Sequence, residues 1–252
     1  MPSSTPQNDV QPFIDSLSHA DWKIRDAAVQ ALMQLGETAE PLLIQAMEHP
    51  DDNVRREVAN ILVKMHWNPN SHAELMLYAY ASQQWDVLIN IGKPALPVLQ
   101  IALQDENFYV RTSAVLALGE IGEGLKLLEY ALCDPNTYVR NAAARALGDF
   151  GAPAILALSG ALLDEDKGVR QAAATCLVQM QAVPALIDAL IGSDWYLRRE
   201  IAQALVKIGK AAVPSLIYLL QDANIAPEAA AILRELDIDP AQYGYDESAV
   251  VG

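Results

Sequence analysis

The sequence predicts an all-α fold, an α–α superhelix (α-solenoid) in which about seven helical hairpins stack in a row. Two observations predict it: a repeat of about 30 residues runs along most of the chain, and apolar residues recur with helical spacing inside each repeat. Composition agrees. Glycine, at 13 of 252 residues, and aromatic residues, at 6%, are scarce for a β-sandwich or barrel, whereas Ala and Leu recur throughout.

An arginine that follows Val, Ile or Leu marks each repeat. Successive marker arginines are 30, 56, 29, 30 and 28 residues apart, so the 56-residue interval holds two repeats. Between these two repeats one marker arginine is missing, near residue 81, although Gly92 keeps its position eleven residues further on. We expect this variant repeat, around Trp85, to form either a kink or a binding notch. The marker arginines are Arg25, Arg55, Arg111, Arg140, Arg170 and Arg198.

The residues around each marker arginine predict an amphipathic helix. Apolar residues stand one position before it and three, four, seven and ten positions after it, which places them on one helical face. Such a helix must bury that face against neighbours, so matching positions of successive repeats should share one buried environment. The seventh position is always leucine: Leu32, Leu62, Leu118, Leu147, Leu177 and Leu205.

Each of these helices carries its own start signal. Four residues before every marker arginine stands Asp or Asn, whose short side chain can accept a hydrogen bond from a free N–H of the first helical turn. We therefore predict an N-cap at each of these positions. The predicted N-caps are Asp21, Asp51, Asn107, Asn136, Asp166 and Asp194.

A stop signal and one further helix complete the repeat. Eleven positions after the arginine, a glycine that can adopt a left-handed conformation ends the helix in four repeats. A further apolar stretch follows, with Pro41, Pro97 and Pro214 in its first turn, where a missing N–H costs nothing. The predicted stop glycines are Gly36, Gly122, Gly151 and Gly209.

The domain boundaries follow from where the repeat begins and ends. We predict a flexible, polar N-terminal tail over residues 1–12, the repeat solenoid over 13–236 and an acidic C-terminal tail over 237–252. The last helix, roughly 227–236, lacks the arginine and should act as a closing cap. With no charged-then-apolar leader and no apolar run of 18 residues, we expect a cytoplasmic protein without membrane insertion.

Charge restricts the class of partner. The net charge is −15, from 17 Lys and Arg against 32 Asp and Glu, which disfavours binding to the phosphate backbone of nucleic acids. The marker arginines are expected to bond to carbonyls or to the Asp and Asn caps, as a structural ladder between hairpins. That leaves still fewer basic side chains for a ligand, so we expect no nucleic-acid partner.

The repeat columns resemble short HEAT-like repeats of the kind found in phycobilin lyase subunits and phycobilisome-associated proteins (the E/Z type). The Asp/Asn-x-x-Val-Arg turns carry the resemblance, together with the ending over residues 117–122 and the opening over 211–216. It covers roughly residues 13–236. It implies a role in phycobilisome or cofactor assembly, with another protein as partner: a phycobiliprotein, a second HEAT-like subunit or a cofactor-assembly protein.

Catalytic and metal-binding motifs find little support in the sequence. Deoxyhypusine hydroxylase, built on similar repeats, binds iron through His-Glu dipeptides, but none of the four histidines here precedes Glu. Cys176 occupies a column of small apolar residues and is predicted to be buried, whereas the column of Cys133 suggests partial exposure. No phosphate-binding loop of the GxxxxGK[ST] type occurs. We predict no catalytic residue and no metal site.

A polar stripe remains after core, caps and ladder are assigned. It occupies positions one, five and nine after the marker arginine, which line one face of the second helix and, in a curved stack, usually the concave side. The stripe is predicted either to bind a partner or to be a solvated face. Its residues are Asp26, Gln30, Arg56, Asn60, Lys64, Thr112, Glu120, Asn141, Arg145, Asp149, Gln171, Gln179, Arg199, Gln203 and Lys207.

An aromatic edge forms the second candidate surface. Aromatic residues gather in the one or two positions after the N-caps, and the variant repeat adds one more. Tyr and Trp often anchor interfaces, so the edge could contact a partner or a tetrapyrrole; alternatively each ring covers the end of a neighbouring hairpin. The edge comprises Trp22, Trp85, Phe108, Tyr109, Tyr138, Trp195 and Tyr196.

These features predict a non-catalytic scaffold for protein–protein contact, which needs no cofactor. The alternative, implied by the resemblance, is a subunit of a phycobilin lyase or isomerase that attaches chromophore to phycobiliproteins or removes it. That role would require a bilin, a partner chain and a proton donor such as Tyr109, Tyr138 or Asp149. The spacing of the residues does not itself indicate a catalytic pair.

Overall fold

The computed structural model describes residues 6–246, and their side chains from Val10 onward. This part of the chain contains sixteen α-helices and no β-strand, which confirms the predicted all-α solenoid class. The helices are α1 (Pro6–Ser16), α2 (Trp22–Leu35), α3 (Glu40–Ala46), α4 (Asp52–Lys64), α5 (His72–Ala81), α6 (Trp85–Ile91), α7 (Leu96–Ala102), α8 (Phe108–Ile121), α9 (Leu125–Ala131), α10 (Thr137–Leu147), α11 (Ile155–Ala161), α12 (Lys167–Gln179), α13 (Val183–Gly192), α14 (Trp195–Ile208), α15 (Val213–Leu219) and α16 (Ala226–Glu235).

The helices follow one another as eight pairs, in two compact units, Met1–Leu127 and Leu128–Gly252. In the first unit the second helices α2 and α4 pack side by side, as do α6 and α8, and the first helices α1 and α3 pack likewise. In the second unit α10, α12, α14 and α16 form one row of second helices, beside first helices α11, α13 and α15. The eighth pair is α15 with α16. Of the two, α16 is the helix that the sequence marked as a closing cap.

The leucine column forms the core of both units. Leu32, Leu62 and Leu118 in the first unit have no exposed surface, and the corresponding leucines of the second unit are equally buried. Each fully buried leucine contributes about 2 kcal/mol relative to an exposed one. The expectation that matching positions share one environment is thus confirmed. The leucines of the second unit are Leu147, Leu177 and Leu205.

All six predicted N-caps are confirmed. Each Asp or Asn side chain accepts a hydrogen bond from the backbone N–H two residues ahead, at 2.8 to 3.1 Å. Asp166 and Asp194 accept a second bond from the residue after that. The cap therefore fixes where every arginine-bearing helix begins.

A second capping position precedes the first and was not predicted. Two residues before the N-cap, the side chains of Asp105, Asp134 and Asp164 accept from the backbone N–H of the N-cap itself, at 2.8 to 2.9 Å. His19 and His49 stand at the same position in the first two repeats and accept through Nδ1, at 3.0 and 3.1 Å. Two of the four histidines thus have a structural role in turns.

The stop glycines adopt the expected positive φ. In the four predicted positions and at Gly92, φ lies between 56° and 78°. His66 and Gln181 stand eleven residues after their arginines, where the other repeats have glycine, and take φ values of 58° and 54°. A positive φ therefore occurs at this position even where the sequence lacks glycine, the residue that adopts it most easily.

The marker arginines bind carbonyls, as predicted. In five of the six, Nη1 donates to the carbonyl oxygens five and six residues earlier, at 2.5 to 3.3 Å. Arg198 differs, because its Nη1 donates to Glu228 at 2.9 Å. Each of these five arginines therefore holds the loop that enters its own helix.

Carboxylates of a following repeat complete the ladder, but they are not the N-cap side chains. Arg140 binds Asp164 through Nε and Nη2 at 2.8 and 3.0 Å, and Arg170 binds Glu200 at 2.8 and 3.2 Å. These hydrogen bonds raise the pKa of both guanidinium groups above its ordinary value. Asp164 also accepts the N–H of the N-cap Asp166, so this carboxylate serves the cap and the arginine together.

In the variant repeat a tyrosine stands beside the place of the missing arginine. The second helix, α6, has only seven residues, and α4 packs against α5. The Tyr80 hydroxyl donates to Asp105 at 2.8 Å, and the Arg55 guanidinium, which also bonds to Asp105, lies 4.7 Å from the Tyr80 ring centroid. Burial, reinforced by the hydrogen bond to Asp105, raises the pKa of Tyr80. Trp85 packs edge-on against Tyr80, with the two ring centroids 6.5 Å apart.

Helical structure extends into both of the predicted tails. Helix α1 begins at Pro6, inside the stretch predicted as the N-terminal tail, and Val10, Ile14 and Leu17 are buried here despite the polar composition. At the other end, Pro240 is buried in a short turn of 3-10 helix capped by Asp239, so the acidic segment is structured there. Residues 1–5 and 247–252 lie outside the described part.

Replacing Arg140 with alanine should lower the free energy of unfolding by about 3 kcal/mol, because it leaves the nearly buried Asp164 carboxylate unpaired. Arg145→Ala, on the same helix, removes an exposed arginine that bonds to Asn141 and should cost less than about 0.5 kcal/mol. Urea unfolding followed by circular dichroism measures both. Equal losses would contradict the ladder.

Candidate protein-binding groove

The polar stripe lies on the solvent side of the second helices. Of its fifteen residues, thirteen are exposed. Thr112 and Asn141 are half-buried: Thr112 donates to the carbonyl of Phe108 at 2.8 Å, and Asn141 accepts from Arg145 at 2.9 Å. The stripe is thus a surface feature of α2, α4 and α8 in the first unit, and of α10, its following turn, α12 and α14 in the second.

Five stripe residues come together around one groove of about 670 Å³ in the second unit. The groove runs between α12 and α14, which pack side by side. Thr175, at the remaining stripe position of α12, also lines it, so all six stripe positions of these two helices are represented. The five predicted residues are Gln171, Gln179, Arg199, Gln203 and Lys207.

The floor of the groove is apolar. Val178 and Ile201 supply branched side chains, while Ala174 and Ala204 contribute only a methyl group each. Small side chains at these two positions leave space between helices that larger residues would fill. A groove with an apolar floor and a few polar groups on its walls is the usual form of a binding site.

The groove carries more positive than negative charge. Arg170 at its edge is neutralised by Glu200, and the Arg170 guanidinium lies 5.7 Å from the Tyr196 ring centroid. Lys167, Arg199 and Lys207 also line the groove, and their side chains make no ion pair or hydrogen bond with the described residues. Three cations therefore face the groove without a partner in residues 10–246.

Sequence reasoning missed Lys167 and the apolar floor. Lys167 is the residue directly after the N-cap Asp166, a position that holds Trp22, Phe108 and Trp195 in other repeats. A cation among aromatic residues was the available signal. The alanines gave none, because alanine recurs along most of the chain.

The aromatic edge divides into exposed and packed rings. Trp195 is 78% exposed and Tyr138 70%, and Trp22, Tyr109 and Tyr196 are also exposed. Trp85 and Phe108 are half-buried, and the Phe108 and Tyr109 ring centroids lie 4.0 Å apart. Tyr196 lines the groove and meets Trp195 edge-to-face at 5.9 Å. In the second unit the edge and the stripe thus meet at Tyr196.

Two smaller clefts lie in the first unit around Trp67. One, of about 520 Å³, is lined by Met33, Glu37 and Trp67 among others; the other, of about 350 Å³, lies between Trp67 and Tyr78. Neither contains a stripe residue or an edge residue. The sequence columns did not indicate these clefts.

The two cysteines differ as predicted. Cys176 is buried, and burial raises the pKa of its thiol, with the nearby Asp149 carboxylate acting in the same direction. Cys133 is exposed. Residues 6–246 hold no group of three or more His, Cys, Asp or Glu side chains placed to bind a metal. None of their helices has the length and apolar character of a membrane span.

The helical hairpins share a column of buried leucines, an N-cap at a fixed position and an exposed face on the second helix. These features define a helical repeat protein. The family model described as HEAT repeats matches residues 10–91 and 124–191, and the model described as HEAT repeat matches residues 95–125. The chain belongs to the HEAT-repeat family.

Several solved structures are similar to the chain at low identity. YibA of Escherichia coli is 18% identical over 94% of this chain and 98% of its own, with a TM-score of 0.38. Human deoxyhypusine hydroxylase is 21% identical over 92% and 97%, with a TM-score of 0.34. The CpcE–CpcF complex of phycocyanin lyase from a Nostoc species is 22% identical over 94% and 95%, with a TM-score of 0.32. No curated protein matches the chain.

Proposed function

We propose that this protein is a non-catalytic scaffold that binds another protein through the part of the polar stripe that lines the groove between α12 and α14. The observation that carries the proposal is that five stripe residues and Tyr196 line one groove with an apolar floor. Repeat proteins of this kind present extended binding surfaces on one row of helices.

The stripe residues of the groove have no visible part in holding the fold together. Burial of the leucine column, capping by Asp and Asn, and the bonds of the marker arginines account for the stacking of the hairpins. Gln171, Gln203 and Lys207 are exposed and contribute to none of these. Exposed side chains around a groove are free to contact a partner without loss of stability.

The setting we propose is phycobilisome or cofactor assembly in the cytoplasm. Its support is the resemblance of the repeat columns to those of phycobilin lyase subunits and phycobilisome-associated proteins. The partner would be a phycobiliprotein, a second HEAT-like subunit or a cofactor-assembly protein. The scaffold itself needs no cofactor.

Filling the groove should abolish partner binding. Gln203→Trp places a large ring in the groove without changing charge, and we expect at least a roughly tenfold loss of the partner that co-purifies with the tagged full chain from source cells. Gln30→Trp introduces the same ring at the matching position of the first repeat and should have little effect. Circular dichroism checks that both variants stay helical.

Two outcomes would contradict this assignment. If Gln203→Trp keeps every partner, the groove is not the binding surface. If Gln30→Trp loses the partner as well, the effect comes from any added ring on the stripe. The double variant Trp22→Ala/Trp195→Ala tests the aromatic edge in the same assay: retained partners would show that the edge serves packing alone.

The alternative function, a phycobilin lyase or isomerase subunit, has its own test. The protein is mixed with phycocyanobilin and an apo-phycobiliprotein, alone and with candidate partner repeat proteins. We expect no covalent, red-absorbing adduct beyond that formed without the protein, because a scaffold supplies no catalytic group. Catalysed formation of such an adduct would overturn the scaffold proposal and make Tyr109, Tyr138 and Asp149 the first proton donors to replace.

A further inference from the structure

The groove between α12 and α14 is a basic site on an acidic protein. Residues 128–252 contain nine Lys and Arg and sixteen Asp and Glu. Lys167, Arg199 and Lys207 nevertheless line one groove. The other groove arginine, Arg170, is paired with the groove's carboxylate, Glu200. The groove is therefore the place where positive charge is concentrated and uncompensated.

We propose that this groove binds a short acidic segment of a partner protein, in which carboxylates on either side of an apolar residue reach Arg199 and Lys207. The inference rests on the proposed scaffold function and specifies the chemistry of its partner. Arg199 would bind one carboxylate through two N–H groups, and Lys207 the other as a point charge. The apolar residue would lie on Val178, Ile201 and Ala204.

The same repeat positions in the first unit show what is particular about the groove. Arg56 stands at the position of Arg199, and Lys64 at that of Lys207. Arg56 is paired within its own helix, with Asp52 at 3.5 Å, and also donates to Asn53 at 2.6 Å. Arg199 has no such partner among the described residues. Its charge is available to a ligand, whereas that of Arg56 is in part compensated.

The spacing of the cations sets the length of the segment. Arg199 and Lys207 are eight residues apart on α14, which corresponds to about 12 Å along the helix axis. An extended peptide advances about 3.3 Å per residue, so carboxylates about four residues apart would match the two cations. Gln171, Gln179 and Gln203 between and opposite them offer both donors and acceptors to the backbone of the peptide.

Net charge favours a short acidic peptide over a long polyanion. Nucleic acid gains affinity from many phosphate contacts along a positive surface, and a chain of net charge −15 repels a strand that extends beyond the groove. A segment with two carboxylates stays within the reach of three cations. Its apolar residue also uses the floor, which a phosphate backbone would not.

Binding of labelled peptides to the full-length protein tests the inference. The probes are fluorescein-labelled twelve-residue peptides with a central Leu and two Glu placed three, four or five residues apart, together with versions that carry Gln for Glu. We expect the four-residue spacing to bind best and its Gln version about tenfold more weakly, with affinity falling as salt is added. A twelve-nucleotide single-stranded DNA serves as the competing polyanion.

Charge reversal at matched positions separates a site from general attraction. Arg199→Glu/Lys207→Glu should weaken the acidic peptide at least about tenfold, whereas Arg56→Glu/Lys64→Glu, with the same change of net charge, should change it less than about twofold. Arg199→Gln/Lys207→Gln gives an intermediate loss and guards against misfolding by introduced carboxylates. Circular dichroism confirms that all variants are helical.

Several results would overturn the inference. These are equal losses in both charge-reversed variants, equal affinity for Glu and Gln peptides, no saturable binding of any acidic peptide, or tighter binding of the DNA. The scaffold function is judged separately by Gln203→Trp. If that variant loses the cellular partner while Arg199→Glu/Lys207→Glu retains it, the groove binds a protein but not through acidic groups.

Discussion

Burial of one apolar face per helix is the constraint on which the rest of the structure depends. A helix of 13 or 14 residues with leucine at a fixed position, such as α12 or α14, is marginal alone in water. It becomes stable when the helices beside it cover Leu177 or Leu205. Because each repeat buries the same residue in the same way, neighbouring helices of a unit must pack in register. This register fixes the environment of every other position in the repeat.

The side-chain hydrogen bonds of the turns follow from this register. The Asp and Asn caps satisfy the first N–H groups, the acid or histidine two residues earlier satisfies the N–H of the cap, and the marker arginine satisfies two carbonyls of the same loop. These groups lie where chain reversals bring backbone close to the core, and leaving them unpaired would cost about 1 to 3 kcal/mol each. The arginine also binds a carboxylate of a following repeat. This bond links two repeats that burial of the leucines has already brought together.

The sequence alone was sufficient for the features that repeat with a fixed offset. The column leucine and the N-cap recur at fixed positions in six of the eight helix pairs, and each position has a chemical requirement that few residue types meet. The position of Asp164 was harder to see, because histidine replaces aspartate in the first two repeats and the shared function is an acceptor atom and not a residue type. The part of helix α1 before Phe13 was not recognised, because its polar composition hid the buried Val10.

The groove could be predicted only in part. Periodicity identified the exposed face, and so named Gln171, Gln203 and Lys207, but it could not show that α12 and α14 have space between them. That space depends on how far apart α12 and α14 pack and on the alanines between them, which are quantities of three dimensions. The carboxylate partner of each arginine could not be predicted from the sequence either. Arg140 binds Asp164, in the loop before α12, whereas Arg170 binds Glu200, on α14.

Stability of a leucine series tests the central claim most directly. Each leucine of the buried column is replaced in turn by alanine, and the free energy of unfolding is measured in urea. If all six occupy one environment, each variant should lose about 2 to 5 kcal/mol, the range for a buried leucine that leaves a cavity. If some of the six variants lose almost nothing while others lose the full amount, the column is not a shared core and the assignment of helix faces fails with it.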